Sequence, residues 1–221
     1  MWIITNRWKL KPHDDFNFQI CLSQVCYDGG MKNLFLTMAI LCSFSTQIAA
    51  QNAPPNITLE AAFLEMAYNG NLAAVQEFVT KGTPIDSTVE DNSTALMWAA
   101  FNGHTSVAAY LLEHGATVDA KDNNGRTALL YASSGPYAET VGLLLRKGAD
   151  VNVQGKVEGF TALMMAAAEG HLEVARVLVL NGAAIDTVDR DGDTAKKFAR
   201  EKGHSAVLEL LEGQSAGGSP P

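Results

Sequence analysis

Three of the five histidines, four clustered aspartates, two adjacent serines and the three cysteines are the residues whose types and spacing could do chemistry. His104, His171 and His204 could form a metal or catalytic set. Asp186, Asp189, Asp191 and Asp193 could hold calcium. A calcium loop opening at Asp189 would carry acids at its first, third and fifth positions. It would also need glycine at the sixth and glutamate at the twelfth, where Thr194 and Arg200 stand. Ser133 and Ser134 have neither a Gly-x-Ser-x-Gly elbow nor a dedicated His–Asp partner. Cys21, Cys26 and Cys42 all lie near the start of the sequence. The rest therefore holds no disulfide framework, cysteine-rich zinc site or cysteine nucleophile. No P-loop and no glycine-rich dinucleotide fingerprint occurs. No enzyme activity and no cofactor are expected.

The elements that position these residues are copies of one unit. TALMWAAFNGH opens at Thr94, TALLYASSGPY at Thr127 and TALMMAAAEGH at Thr161. Weaker copies open at Thr194 (TAKKFAREKGH) and Ala61 (AAFLEMAYNGN), so the unit recurs every 33 or 34 residues. Gly70, Gly103, Gly170 and Gly203 take the same place in their copies, and Pro136 takes it in the third. Gly82, Gly115, Gly148 and Gly182 form a second such series. Each copy reads as a short helix opened by threonine, a glycine turn, a second helix and a polar loop. Small residues such as Ala99 and Ala100 allow close stacking. A single copy cannot bury its own apolar face, but stacked copies can. The histidines recur at one position of successive copies. Neighbouring copies then lie about 10 Å apart, whereas zinc needs ligands at about 2.0–2.1 Å from one ion. The acidic run likewise repeats the Asp-x-x-Gly-x-Thr loop of Asp122 to Thr127.

This pattern closely resembles the ankyrin-repeat family over residues 57–213. The Thr-Ala-Leu-Met stretches resemble its Thr-Pro-Leu-His motif. They depart from it in Ala95, Ala128, Ala162 and Ala195 for proline, and in Met97, Leu130 and Met164 for histidine. The resemblance implies an all-α solenoid of about five helix-turn-helix repeats with β-hairpin loops projecting to one side. It implies a structural histidine at positions 104, 171 and 204 that ties helix to loop. It also implies binding to other proteins, and rarely catalysis.

The end copies carry the marks of caps. Glu65 stands where later copies have Trp98, Tyr131, Met165 and Phe198, and Lys196 stands where earlier ones have Leu96, Leu129 and Leu163. Residues 214–221, rich in Gly, Ser and Pro, are expected to form a flexible tail.

The resemblance also orders the candidate binding residues. Tyr68, Phe101, Ser134, Ala168 and Glu201 share the position that the family exposes on its concave face. Tyr68 and Phe101, aromatics in consecutive copies, are read as an interface anchor, with packing against the neighbouring loop as the alternative for Phe101. Asn102 follows Phe101. Lys121, Asn123 and Arg126 are expected to project from the bordering loop. Phe160 is expected to cap the next loop, which holds the one extra residue of the series. Trp98 is assigned to the core.

Residues Met31 to Ala50 have the layout of a secretory signal peptide: Lys32, an apolar run from Leu34 to Phe44, then small residues. The run is short for a membrane span, which needs about 20 residues. A buried helix and a short anchor are the alternatives. Residues 1–30 fit no pattern and are read as a misassigned extension or a long leader, and 51–56 as a linker. The 221 residues carry 24 acidic against 16 basic side chains, for a net charge of −8. No Lys/Arg cluster is present, so nucleic-acid binding by counterion release is not expected. The expectation is a monomeric scaffold in the periplasm or secreted, free of stable membrane association after cleavage. It would bind a protein to protect, mature or neutralise it; the alternative is a secreted effector acting on a host or competitor protein. Cleavage is predicted between Ala50 and Gln51. N-terminal sequencing of exported protein should begin at or beside Gln51, and protein retaining Met31 would defeat the export reading.

Overall fold

The computed structural model describes residues 58–216. The extension 1–30, the signal peptide 31–50 with its Ala50–Gln51 cleavage site, the linker 51–56, the three cysteines and residues 217–221 lie outside the described residues. Threonine starts the first helices of the copies. The Thr58, Thr94, Thr161 and Thr194 hydroxyls accept from the amides of Ala61, Met97, Met164 and Lys197. Each satisfies an amide that a helix start otherwise leaves unpaired. The helices so opened are α1 (Leu59–Tyr68), α3 (Ala95–Phe101), α5 (Ala128–Ser133), α7 (Ala162–Glu169) and α9 (Ala195–Lys202). Short turns lead from each into α2 (Leu72–Thr80), α4 (Thr105–Glu113), α6 (Ala138–Arg146), α8 (Leu172–Leu180) and α10 (Ser205–Ala216). Each odd-numbered helix packs on the odd-numbered helices of the adjoining copies, and each even-numbered helix on the even. The result is an all-α stack of five copies. No helix among the described residues is long and apolar enough to cross a membrane.

The core repeats with the sequence. Leu96, Leu129 and Leu163 are buried, as are Val107, Val141, Val174 and Val207, and Leu111, Leu144, Leu178 and Leu211. Ala99, Ala100, Ala132, Ala166, Ala167 and Ala199 are wholly enclosed. The leucine series ends at Lys196, whose ammonium sits 2.8 Å from Asp186 at the edge of the stack.

The copies are locked together at their turns. The His104 Nε2–H donates to the Tyr68 carbonyl (2.9 Å), His171 to Ser134 (3.2 Å) and His204 to Ala168 (3.1 Å). Each ring thus reaches back to the first helix of the preceding copy. A Cβ built on Gly70 would lie 2.5 Å from the His104 ring, and one on Gly170 equally close to His204. Tyr137 replaces histidine in the third copy, and a Cβ on Gly103 would lie 2.1 Å from its ring. These glycines also adopt positive φ, +69° at Gly103.

The expected β-hairpin loops are not present: the described residues contain no strands. Two isolated antiparallel bridges, Thr88 with Thr94 and Val188 with Thr194, are the only strand-like pairings among them. The reason is local. The Asp122 Oδ1 accepts from the amides of Asn124 and Arg126, both at 2.8 Å, and Asp189 does the same for Asp191 and Asp193. These carboxylates close each loop tightly on itself, and pairing across it stops at one bridge or one backbone bond, as from Asp122 to Arg126 and from Asp189 to Asp193. Neighbouring loops meet through single backbone bonds instead, Asn123 to Asp91, Lys156 to Asn124 and Arg190 to Glu158.

Gly103 and Gly115 separate backbone strain from crowding. Gly115 has φ +92° and nothing within 4 Å of a built Cβ. Gly115→Ala should cost about 1–2 kcal/mol for left-handed backbone alone. Gly103→Ala must also displace Tyr137, adding about 1–3 kcal/mol. Thermal melts should rank Gly103→Ala well below Gly115→Ala; equal melts would mean that the Tyr137 ring does not lock the copies.

Candidate protein-binding face

Equivalent positions of adjacent copies become neighbours in the stack, and the first three copies place aromatics there. Tyr68 and Phe101 lie 6.5 Å apart with planes 21° from parallel. Trp98 meets Tyr68 at 5.7 Å and Phe101 at 6.0 Å, edge to face. Tyr131 meets Phe101 edge-on at 6.0 Å and Trp98 at 6.1 Å. Phe101 therefore touches all three other rings. Tyr68 remains 41% exposed and Phe101 37%, whereas Trp98 and Tyr131 are half-buried. Aromatic pairs of this geometry contribute about 0.5–1.5 kcal/mol each beyond their buried area, so the cluster is held in shape while its outer members stay accessible.

The polar edges of the two inner rings are tied to the loops. The Trp98 Nε1–H donates to Ser93 Oγ (2.9 Å), and that hydroxyl donates to Asp91 Oδ1 (2.6 Å). The Tyr131 hydroxyl donates to Asp122 Oδ2 (2.8 Å). Burial, that hydrogen bond and the Asp122 charge push the Tyr131 phenol above its ordinary value.

The remaining candidates divide. Asn102 donates its side-chain amide to the Tyr68 carbonyl (2.7 Å), joining two copies. Asn123 donates to the Glu90 carbonyl (3.1 Å) and accepts from Asn92 (2.7 Å), joining two loops. Lys121 is exposed. The Arg126 guanidinium lies 3.4 Å from Glu158 and is half-buried. Phe160 is half-buried against Phe198, edge-on at 5.4 Å, in a ring pair separate from the other four. Tyr68 and Phe101 are thus brought together, and Phe160 is not brought to them. Sequence reasoning missed Trp98 and Tyr131 as members of this face. The signal was their shared position in consecutive copies, the same argument that paired Tyr68 with Phe101.

The chemically suggestive groups have structural duties. Asp189 closes its loop, Asp193 pairs with Lys197 and Asp186 with Lys196. Ser133 and Ser134 donate to the helix carbonyls of Leu129 and Tyr131. Among the described residues no three His, Cys, Asp or Glu side chains are grouped to hold a metal ion.

Tyr131 makes stability depend on alkaline pH. Folding holds its phenol neutral against Asp122, while the unfolded chain releases that proton near the ordinary value of about 10. The stability contributed by the neutral phenol is complete below that value and is lost progressively as pH rises from it toward the raised value of the folded state. Tyr131→Phe has no such proton to lose. The stability advantage of the parent over Tyr131→Phe, measured by urea denaturation, should shrink from about pH 8 to about pH 11. A constant advantage would show that the phenol ionises alike in both states.

A profile of ankyrin repeats in three copies matches residues 63–155 and again 135–217. Over 68 residues, 29% of its length, the chain is 41% identical to the ankyrin repeat and KH domain-containing protein mask of Drosophila melanogaster. Over the same length it is 43% identical to ankyrin repeat domain-containing protein 17 of Homo sapiens. It spans 2% of the length of the fly protein and 3% of the human one. An ankyrin repeat protein of Rickettsia felis is 39% identical over 62 residues, 25% of this chain and 94% of that protein. Repeat period, stacked helix pairs and these matches agree: the chain belongs to the ankyrin-repeat family of non-catalytic protein–protein interaction modules.

Proposed function

We propose that this protein is an exported, monomeric scaffold that holds another protein against the face formed by Tyr68, Trp98, Phe101 and Tyr131. The observation that carries the reading is the exposure of Tyr68 and Phe101 on a fixed aromatic base. Interface energy concentrates in such anchors. A rigid stack presents them with little ordering cost on binding. Lys121, Asn123 and Arg126 supply the margin, where charge tunes approach more than affinity. Phe160 stands apart as a second, smaller contact. The signal-peptide layout of Met31 to Ala50 supports export, to the periplasm in a bacterium, and a role in protecting, maturing or neutralising another exported protein. The absence of cysteine beyond Cys42 suits an oxidising compartment.

Crosslinking in the producing cell, followed by purification of the full chain, tests the reading. The parent should retain a defined exported partner. Phe101→Ala should weaken that complex by about 1–2 kcal/mol or more. Circular dichroism keeps folding apart from binding, because Phe101 also supports three rings. A folded Phe101→Ala that retains its partner undiminished would move the interface elsewhere, and a protein found wholly in the cytosol would remove export.

A further inference from the structure

The aromatic face has an electrostatic character that its hydrophobicity hides. Two of its rings donate hydrogen bonds from their edges toward carboxylates, Tyr131 to Asp122 directly and Trp98 to Asp91 through Ser93. A phenol or indole that leans its proton toward an anion carries more electron density on its ring face, and that face attracts cations. The surroundings add negative charge. Glu65 lies three residues before Tyr68 on α1 and is exposed, and it holds the position next to Trp98 in the series across copies. Glu90 and Asp91 are exposed on the first loop. Against Glu65, Glu90, Asp91 and Asp122 stand Lys121 and Arg126, and Glu158 engages the Arg126 guanidinium.

From this charge complementarity we infer that the face receives an arginine side chain presented by the partner protein. The inference rests on the binding reading above and names its chemistry. Arginine suits the site better than lysine. Its guanidinium is planar, weakly hydrated and stacks on aromatic rings. Tyr68 and Phe101, only 21° from parallel, offer a flat cation one orientation that serves both. The exposed carboxylates of Glu65 and Glu90 are the ones open to its remaining donors.

Nuclear magnetic resonance titration of the full chain with N-acetyl-arginine amide tests the inference, with N-acetyl-citrulline amide as the neutral counterpart of the same shape at matched chloride. The arginine compound should give saturable shifts centred on Tyr68, Trp98, Phe101 and Tyr131, weakened by added salt, and citrulline should give none. Glu65→Gln changes an exposed group and leaves the fold intact. It should weaken the arginine response about two- to fivefold. Equal responses to the two compounds, or no response at these rings, would overturn the inference. Either result leaves the partner-capture experiment with Phe101→Ala as the separate test of the binding face.

Discussion

The turn between the two helices of a copy, where in three of the five copies a glycine without a side chain receives a ring from the next copy, is the contact on which the stack depends. A copy of two short helices has an apolar face it cannot bury alone. Burial comes from the neighbour, and the neighbour must approach closely. Gly70, Gly103 and Gly170 allow that approach because no Cβ occupies the place of His104, Tyr137 and His204. The histidines add a hydrogen bond to the preceding helix end. Tyr137 fills the same place without that bond. In the third copy Pro136 replaces the glycine, yet His171 still reaches the Ser134 carbonyl. The lock therefore tolerates tyrosine in place of histidine and proline in place of glycine, provided that the turn stays compact.

The loops are built on a second device, and it couples them to the helices. Asp122 holds two amides of its own loop with one oxygen and the Tyr131 hydroxyl of α5 with the other. Asp91 holds Ser93 twice, through amide and hydroxyl, and Ser93 in turn holds Trp98 of α3. Buried polar groups need such partners, and here the partners also set ring orientation. The face is consequently not a patch of apolar residues free to repack. Its two inner rings are clamped at their polar edges, and its two outer rings rest on them.

The five-copy architecture was legible because the repeat is long and recurs with nearly constant spacing. The adjacency of Tyr68 and Phe101 was legible for the same reason, since equal positions in adjoining copies must meet. The loop geometry was not. Asp-x-x-Gly-x-Thr reads as a hairpin, but whether amides pair across strands or fold onto a carboxylate is decided by side-chain hydrogen bonds that no period records. Asn102 and Asn123 read as surface residues next to a binding slot. Their amides are engaged by Tyr68 and Glu90, partners in another copy. Trp98 read as core because its position is apolar in most copies. It is half-buried, as Tyr131, Met165 and Phe198 are at the same position of later copies, so the position lies at the border of core and surface throughout the stack.

Capping and the aromatic cluster meet at Glu65. A terminal copy must turn a polar surface outward, and Glu65 serves that need. The same substitution ends the series Trp98, Tyr131, Met165 and Phe198 at Trp98, whose ring meets Tyr68 of the first copy instead. Farther along, the position of Phe101 passes to Ser134, Ala168 and Glu201, so among the described residues the large aromatics that stay exposed, Tyr68 and Phe101, lie in the first two copies. A solenoid whose copies were identical would repeat its exposed rings along its whole length and invite self-association. Here the exposed rings are kept to the copies beside the cap. The polar cap residue Glu65 and the exposed rings therefore share one end of the stack.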